Sequence, residues 1–259
     1  MASSKELKLK SPLKNFLKKF FDIFGYEIKR KNNFNDRWAD FIVELNDYRK
    51  KQIQHFQKIT LASEVNLWSI FQSLKYINDE RIEGDIVECG VYNGNTLAFI
   101  GEINDELNLN KIIWGYDTFN GFIEYSFTEK DVDFKTGKKI KNNSSDIYYT
   151  LNEVKKNIIK NKKTNFEKYK FIEGDILETL NIKENIPDKI SFLRLDTDIY
   201  KTTKKQLEIL YKKLVPGGVL HIDDYGLCPG VKTAVDNFFS DKNIWLHRVD
   251  LTCRYLIKK

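Results

Sequence analysis

The chain has little that would cross-link it, divide it or carry it through a membrane. Among 259 residues there are three cysteines, Cys89, Cys228 and Cys253. Their number is odd and their spacing matches no zinc pattern, so neither a disulfide framework nor a structural zinc site is expected. A reducing, cytoplasmic setting follows. Four prolines and 13 glycines are too few and too scattered to mark an interdomain linker, and no internal repeat is visible. No apolar run approaches the roughly 18 residues of a membrane span. The first residues lack an apolar core followed by small residues, so they do not read as a secretory signal. The net charge of +6 is modest for this length, which excludes nucleic acid as an expected partner and suits anionic small molecules or a membrane surface.

What is present is a globular composition, 41% hydrophobic and 31% charged, long enough for one α/β domain with additions. Leu13, Phe16, Leu17, Phe20, Phe21 and Phe24 fall at helical spacing with Lys14, Lys18 and Lys19 between them. Such a helix fits a membrane interface, the body of the protein or a second subunit. A second helix is expected over 35–58 with Trp38, Phe41, Ile42, Leu45 and Tyr48 on one stripe. Ser63 caps a third, with Val65, Trp68, Phe71, Leu74 and Ile77 inward. Residues 1–60 are accordingly read as a basic helical extension and 61–259 as the main domain.

From Asp85 strands and helices alternate. Strands are expected at 86–89, 112–117, 169–175, 190–196 and 219–223, with two further pieces at 244–248 and 254–257. Phe122 to Asn143 lacks a period and reads as a long surface loop, a candidate lid. Ser144 or Ser145 is expected to cap the helix carrying Ile147, Leu151, Val154 and Ile158. Pro216-Gly217-Gly218 is read as the break between the helix around Leu207–Leu214 and the fifth strand. The fold class is α/β, a doubly wound, mostly parallel seven-stranded sheet with an antiparallel edge.

The chemistry concentrates at strand ends. Ile190 to Leu195 is apolar apart from Ser191 and Arg194 and runs into Asp196-Thr197-Asp198; Val219 to Ile222 runs into Asp223-Asp224. Buried parallel strands end at the sheet edge where ligands bind. Residues two apart in an extended chain share a side, so Asp196 and Asp198 are expected to aim together. Four carboxylates on one rim need a cation or a proton-transfer task to balance them. After the first strand, Gly90 and Gly94 permit a tight turn close to a ligand. Their spacing is neither the dinucleotide fingerprint nor a phosphate loop, which makes a nicotinamide oxidoreductase a poorer reading. Glu88 suits a cationic group, Asp117 ribose hydroxyls and Asp175 an adenine amino group. One acid on each of three successive strands suits a ligand that joins a nucleoside to a cation, as S-adenosylmethionine does. His221 reads as a hydrogen-bonded buried residue, and Arg194 as a partner for a rim carboxylate.

The segments EGDIVECGVYNGNT (83–96), GYDTFNGF (115–122), FIEGDI (171–176), LRLDTDIYKTT (193–203), LVPGGVLHIDDYG (214–226) and PGVKTAVDNFF (229–239) together closely resemble the macrocin O-methyltransferase family. The resemblance covers about residues 60–240. It implies a class I methyltransferase, dependent on S-adenosylmethionine and magnesium, that acts on sugar hydroxyls of antibiotic deoxysugars or surface glycans. Carried onto this sequence, Asp196, Asp223 and Asp224 hold the metal and Asp198 is the general base. The donor pocket is expected to comprise Glu88, Gly90, Tyr92, Asn93, Gly94 and Thr96, then Asp117, Thr118 and Phe119, then Asp175 and Ile176. Carboxylates without histidine or thiolate partners favour a hard cation such as magnesium, manganese or calcium. Phe122–Asn143 and the N-terminal segment depart from the family pattern and are expected to shape the acceptor pocket. Partners are expected to be a small sugar or glycoconjugate acceptor and a second copy of the chain. A catechol or a phosphorylated small molecule as acceptor, and a membrane-surface module on the same fold, stay open as alternatives.

Overall fold

Seven strands in the order β3-β2-β1-β4-β5-β7-β6 make the sheet. They are β1 Asp85–Cys89, β2 Ile113–Asp117, β3 Tyr169–Glu173, β4 Ile190–Leu195, β5 Leu214–Ile222, β6 His247–Arg248 and β7 Arg254–Ile257. The first five pair in parallel and β7 pairs antiparallel with both β5 and β6. This is the doubly wound arrangement with an antiparallel edge expected from the alternation. The computed structural model describes residues 42–140, 147–161 and 166–259. The helix expected over Leu13–Phe24, the Trp38 and Phe41 positions and the Ser144 or Ser145 cap lie outside those residues. Among the described residues no helix is long and apolar enough to cross a membrane.

Helices cover both faces, because strands of a parallel sheet have no solvent side. Ile86, Ile113, Phe192 and Val219 face one core with α1 (Asp47–Gln57), α2 (Glu64–Asp79), α3 (Asn95–Glu106) and α4 (Leu151–Asn161). Val87, Trp114, Leu193, Leu220 and Ile222 face the other, with α6 (Tyr200–Lys213) and α7 (Pro229–Phe238); the one-turn helix α5 is Ile176–Thr179. Ile53 and Phe56 of α1 are buried in the first core with α2, on both sides of the boundary expected near residue 60.

Local capping moves two helix starts from where periodicity puts them. The second expected helix begins at Asp47, because the Asn46 side chain accepts from Arg49 N. Ile42 and Leu45 therefore precede it, and Tyr48 is exposed. Helix α4 begins at Leu151: Thr150 Oγ1 accepts from Glu153 N, and Glu153 accepts from Thr150 N at 2.9 Å, a reciprocal capping box. Ile147 stays outside it and exposed. Helix α2 turns Asn66, Leu67, Ser69, Ile70, Ser73, Leu74 and Ile77 inward, so the buried stripe is more polar than the one expected. Strand β5 starts at Leu214 and runs through Pro216-Gly217-Gly218, absorbing them as a register shift against β4 rather than as a break.

Candidate active site

The strand ends of β1, β2, β4 and β5 open onto a cavity of about 690 Å³. Behind it lies a buried polar row. Glu88, Arg194 and His221 are register partners on three adjacent strands, all on the face that meets α2. Arg194 Nη1 is 2.7 Å from Glu88 Oε1 and also pairs with Asp196, while Nη2 is 2.8 Å from Asp223 Oδ2. Burial opposes the arginine's charge, but the three carboxylates outweigh it and hold the guanidinium protonated. The polar residues of α2 complete the row. Ser69 Oγ lies 2.9 Å from His221 Nε2, and Asn66 Nδ2 donates to Asp223 Oδ1. Burial, then Arg194, lowers His221 to about 3, so the imidazole is neutral, in line with a buried structural histidine.

In front of this row the acids meet. One oxygen each from Asp196, Asp223 and Asp224 lies within 4.8 Å of the others. Asp198, Asp224 and Cys228 form a second such group, so Asp224 is common to both. Asp196 and Asp198 reach the site differently from the expectation of two alternate strand positions. Strand β4 ends at Leu195, and Asp198 sits in a left-handed turn with φ 63°. Burial raises the carboxyls of Asp196, Asp198 and Asp224 above the ordinary range, and their mutual repulsion adds to it. Asp224 is buried, and among the described residues its Oδ2 has no hydrogen-bond partner. A buried acceptor-only oxygen among other carboxylate oxygens fits a hard divalent cation. Burial and the neighbouring acids push the Cys228 thiol upward, which keeps it a poor ligand.

Gly90 shows why β1 must be followed by glycine. Its φ is 87°, and a Cβ there would lie 1.7 Å from the carbonyl oxygen of Asp196. The close neighbour is thus the crossing backbone of the acid turn. Gly94, with φ 80°, makes the tight turn expected of it; it stands off the cavity wall, and a Cβ would meet Val154 Cγ1 of α4 at 2.7 Å. Two other residues of the expected donor pocket also stand off the cavity wall. Glu88 lies off the cavity wall, fully buried behind Arg194, with burial raising its carboxyl to about 7 against the pull of Arg194. The Phe119 side chain packs on Phe171 in the core, leaving only its backbone N–H to serve Asp117. Tyr92, Asn93, Thr96, Asp117, Thr118, Asp175 and Ile176 all line the cavity. Asp117 Oδ2 accepts from Val91 N and Tyr92 N, at 2.7 and 3.0 Å, which ties the glycine turn to β2. Asp175 caps α5 through Leu177 N and accepts from the Tyr125 hydroxyl.

The rest of the wall includes the start of the loop expected to shape the acceptor pocket, together with residues that sequence reasoning did not single out for it. Phe122, Ile123, Tyr148 and Tyr149 line it, as do Leu61 and Thr252. The loop from Phe122 onward is ordered in its described part, with a 3₁₀ turn at Glu124–Ser126 and a bridge between Val132 and Lys139. The Thr150-x-x-Glu153 capping box was the available signal that the chain re-enters a helix there.

Residues 47–258 match the family model described as TylF, macrocin-O-methyltransferase. A demethyldecarbamoylnovobiocin O-methyltransferase from Streptomyces niveus is 28% identical over 180 residues, covering 69% of this chain and 67% of that protein. A mycinamicin III 3''-O-methyltransferase from Micromonospora griseorubida is 26% identical over 165 residues, 61% of each. The chain therefore spans 67% and 61% of the lengths of these two relatives. Among solved structures, the O-methyltransferase NovP is 25% identical with a TM-score of 0.65, covering 77% of this chain and 82% of that one. The seven-stranded sheet is the class I, Rossmann-like architecture of O-methyltransferases.

Proposed function

Because the chain belongs to the macrocin O-methyltransferase family, we propose that it transfers a methyl group from S-adenosylmethionine to a sugar hydroxyl, with a divalent cation, magnesium, held at the acid cluster. The observation that carries this reading is the convergence of Asp196, Asp223 and Asp224 beside Asp198 on the wall of a cavity that also holds the glycine turn. Asp196, Asp223 and Asp224 would hold the ion. When bound, magnesium supplies a Lewis acid that lowers the pKa of an alcohol and fixes its orientation.

The chain's own groups do the rest. The Asp198 carboxylate takes the hydroxyl proton as the oxygen attacks the donor methyl in line with the departing sulfur. Arg194 stays charged at the back of the cluster and limits repulsion among the acids. Tyr92, Asn93, Thr96, Asp117 and Ile176 bound the donor side, and Phe122, Tyr148 and Tyr149 offer flat faces to the acceptor. Holding the two reactants together in such a cavity is worth up to ~7–11 kcal/mol of the barrier. A relative from Streptomyces olivaceus, 26% identical over 154 residues, is named for a rhamnosyl-bearing tetracenomycin, which favours a sugar over a catechol as the acceptor.

The test is an assay with methyl-labelled S-adenosylmethionine over nucleotide-linked deoxysugars, glycosylated aromatic compounds and free catechols. Label in a sugar methyl ether supports the reading. Label in the catechols alone overturns the acceptor class.

A further inference from the structure

Asp131 is buried in the loop that contributes Phe122, Ile123 and Ser126 to the cavity wall, although a loop carboxylate would ordinarily face water. Its Oδ1 accepts from Tyr200 N at 2.7 Å, 69 residues along the chain. Its Oδ2 accepts from Thr128 N and Thr128 Oγ1, at 2.7 and 2.8 Å. Tyr200 is the first residue of α6, and the residue in the cap position is Ile199, whose side chain makes no cap hydrogen bond. An apolar cap leaves the first amides of a helix unsatisfied. Asp131 satisfies one of them from another element.

Two residues before that amide stands Asp198, with its left-handed backbone. A non-glycine residue holds such a conformation only when its surroundings enforce it. Further contacts join the same loop to the same helix start. Lys201 Nζ donates to Tyr125 O at 2.6 Å, and Lys130 Nζ lies 3.7 Å from the Tyr200 ring centre. The third element at this junction makes room for the carboxylate. A Cβ on Gly230 of α7 would lie 2.1 Å from Asp131 Oδ1.

We propose that Asp131 is a positioning residue: it supplies from the acceptor loop the helix cap that Ile199 lacks, so that Asp198 is held in place only when that loop is folded. The acceptor wall and the base then form as one unit. The proposal rests on the reading of Asp198 as the base.

The test combines residue-resolved amide hydrogen exchange with turnover in Asp131→Ala, Gly230→Ala and Thr128→Val. Gly230→Ala displaces the carboxylate without altering the loop's sequence, so it serves if Asp131→Ala folds poorly. In Asp131→Ala and Gly230→Ala the Tyr200 amide is expected to exchange roughly fivefold faster or more, the loss of one cap. On the nucleotide-linked deoxysugar that the wild type methylates, kcat is expected to fall on the order of tenfold or more with KM for donor and acceptor little changed, as for a displaced base. Thr128→Val loses one bond to the other oxygen and is expected to keep both properties. Unchanged exchange at Tyr200 in both cap variants overturns the proposal, and so does a raised acceptor KM with intact kcat. Full activity in Asp198→Asn overturns the base assignment instead, leaving the exchange result to decide the cap.

Discussion

Arg194 Nη1 stands 2.7 Å from Glu88 Oε1 on the adjacent strand, with both side chains sealed from solvent. The same guanidinium reaches Asp196 and Asp223, so one buried cation serves three acids. Removing it leaves those acids without their counter-charge. Arg194→Met is expected to cost about 3–5 kcal/mol of stability, the usual consequence of breaking a buried ion pair from one side. Arg194→Lys is expected to recover little of it, because an ammonium cannot fork to several carboxylates. Urea unfolding measures both; a Met variant within about 1 kcal/mol of wild type would contradict the counter-charge role.

Asp198→Asn keeps the shape of the acid turn and removes the proton acceptor. Turnover is expected to fall about a hundredfold or more, the usual contribution of a general base. Donor binding, followed by calorimetry with S-adenosylhomocysteine, is expected to stay within a few-fold of wild type. Near-normal turnover would remove Asp198 from the chemistry.

Gly90→Ala tests the crossing of β1 by the acid turn. An added Cβ meets the Asp196 carbonyl oxygen, and φ of 87° already excludes most side chains. A loss of ~2 kcal/mol or more is expected, with weakened donor binding because the turn shifts. A thermal melt that coincides with the wild type would show that the crossing is not tight.

His221 gives the fold a defined acid sensitivity. Its folded pKa, about 3, is below the ordinary 6.5 because burial disfavours the imidazolium. The unfolded chain therefore binds the extra proton first, and the stability that neutral His221 contributes is complete above pH 6.5. It is lost as pH falls toward 3, at about 1.4 kcal/mol per pH unit. The raised carboxyls nearby act in the opposite sense, so the comparison is wild type against His221→Asn at pH 7 and pH 5. The stability gap between them is expected to shrink at pH 5, and a constant gap would contradict the lowered pKa.

The sheet and the acid rim were readable because each is a local pattern. An apolar run ending in acids names a strand and its open end at once, as at Leu195-Asp196 and Ile222-Asp223. The resemblance of the linked blocks added roles to those acids. What stayed hidden depends on contacts between distant segments. Nothing local says that Gly90 makes way for Asp196, that Gly94 makes way for Val154, or that Glu88 faces Arg194 rather than a ligand. The inward turn of Asn66 and Ser69 follows from the polar row they serve, which no helical periodicity contains. Helix starts were misplaced where a nearer cap, Asn46 or Thr150, overrides an apolar stripe.

The most direct measurement of the central claim is methyl transfer from labelled S-adenosylmethionine to the best deoxysugar acceptor, in EDTA and then with magnesium restored. Transfer is expected to stop in EDTA, to return with magnesium in the wild type, and to stay absent in Asp224→Asn. Undiminished transfer in EDTA would mean that the aspartates at the rim do not act through a bound ion.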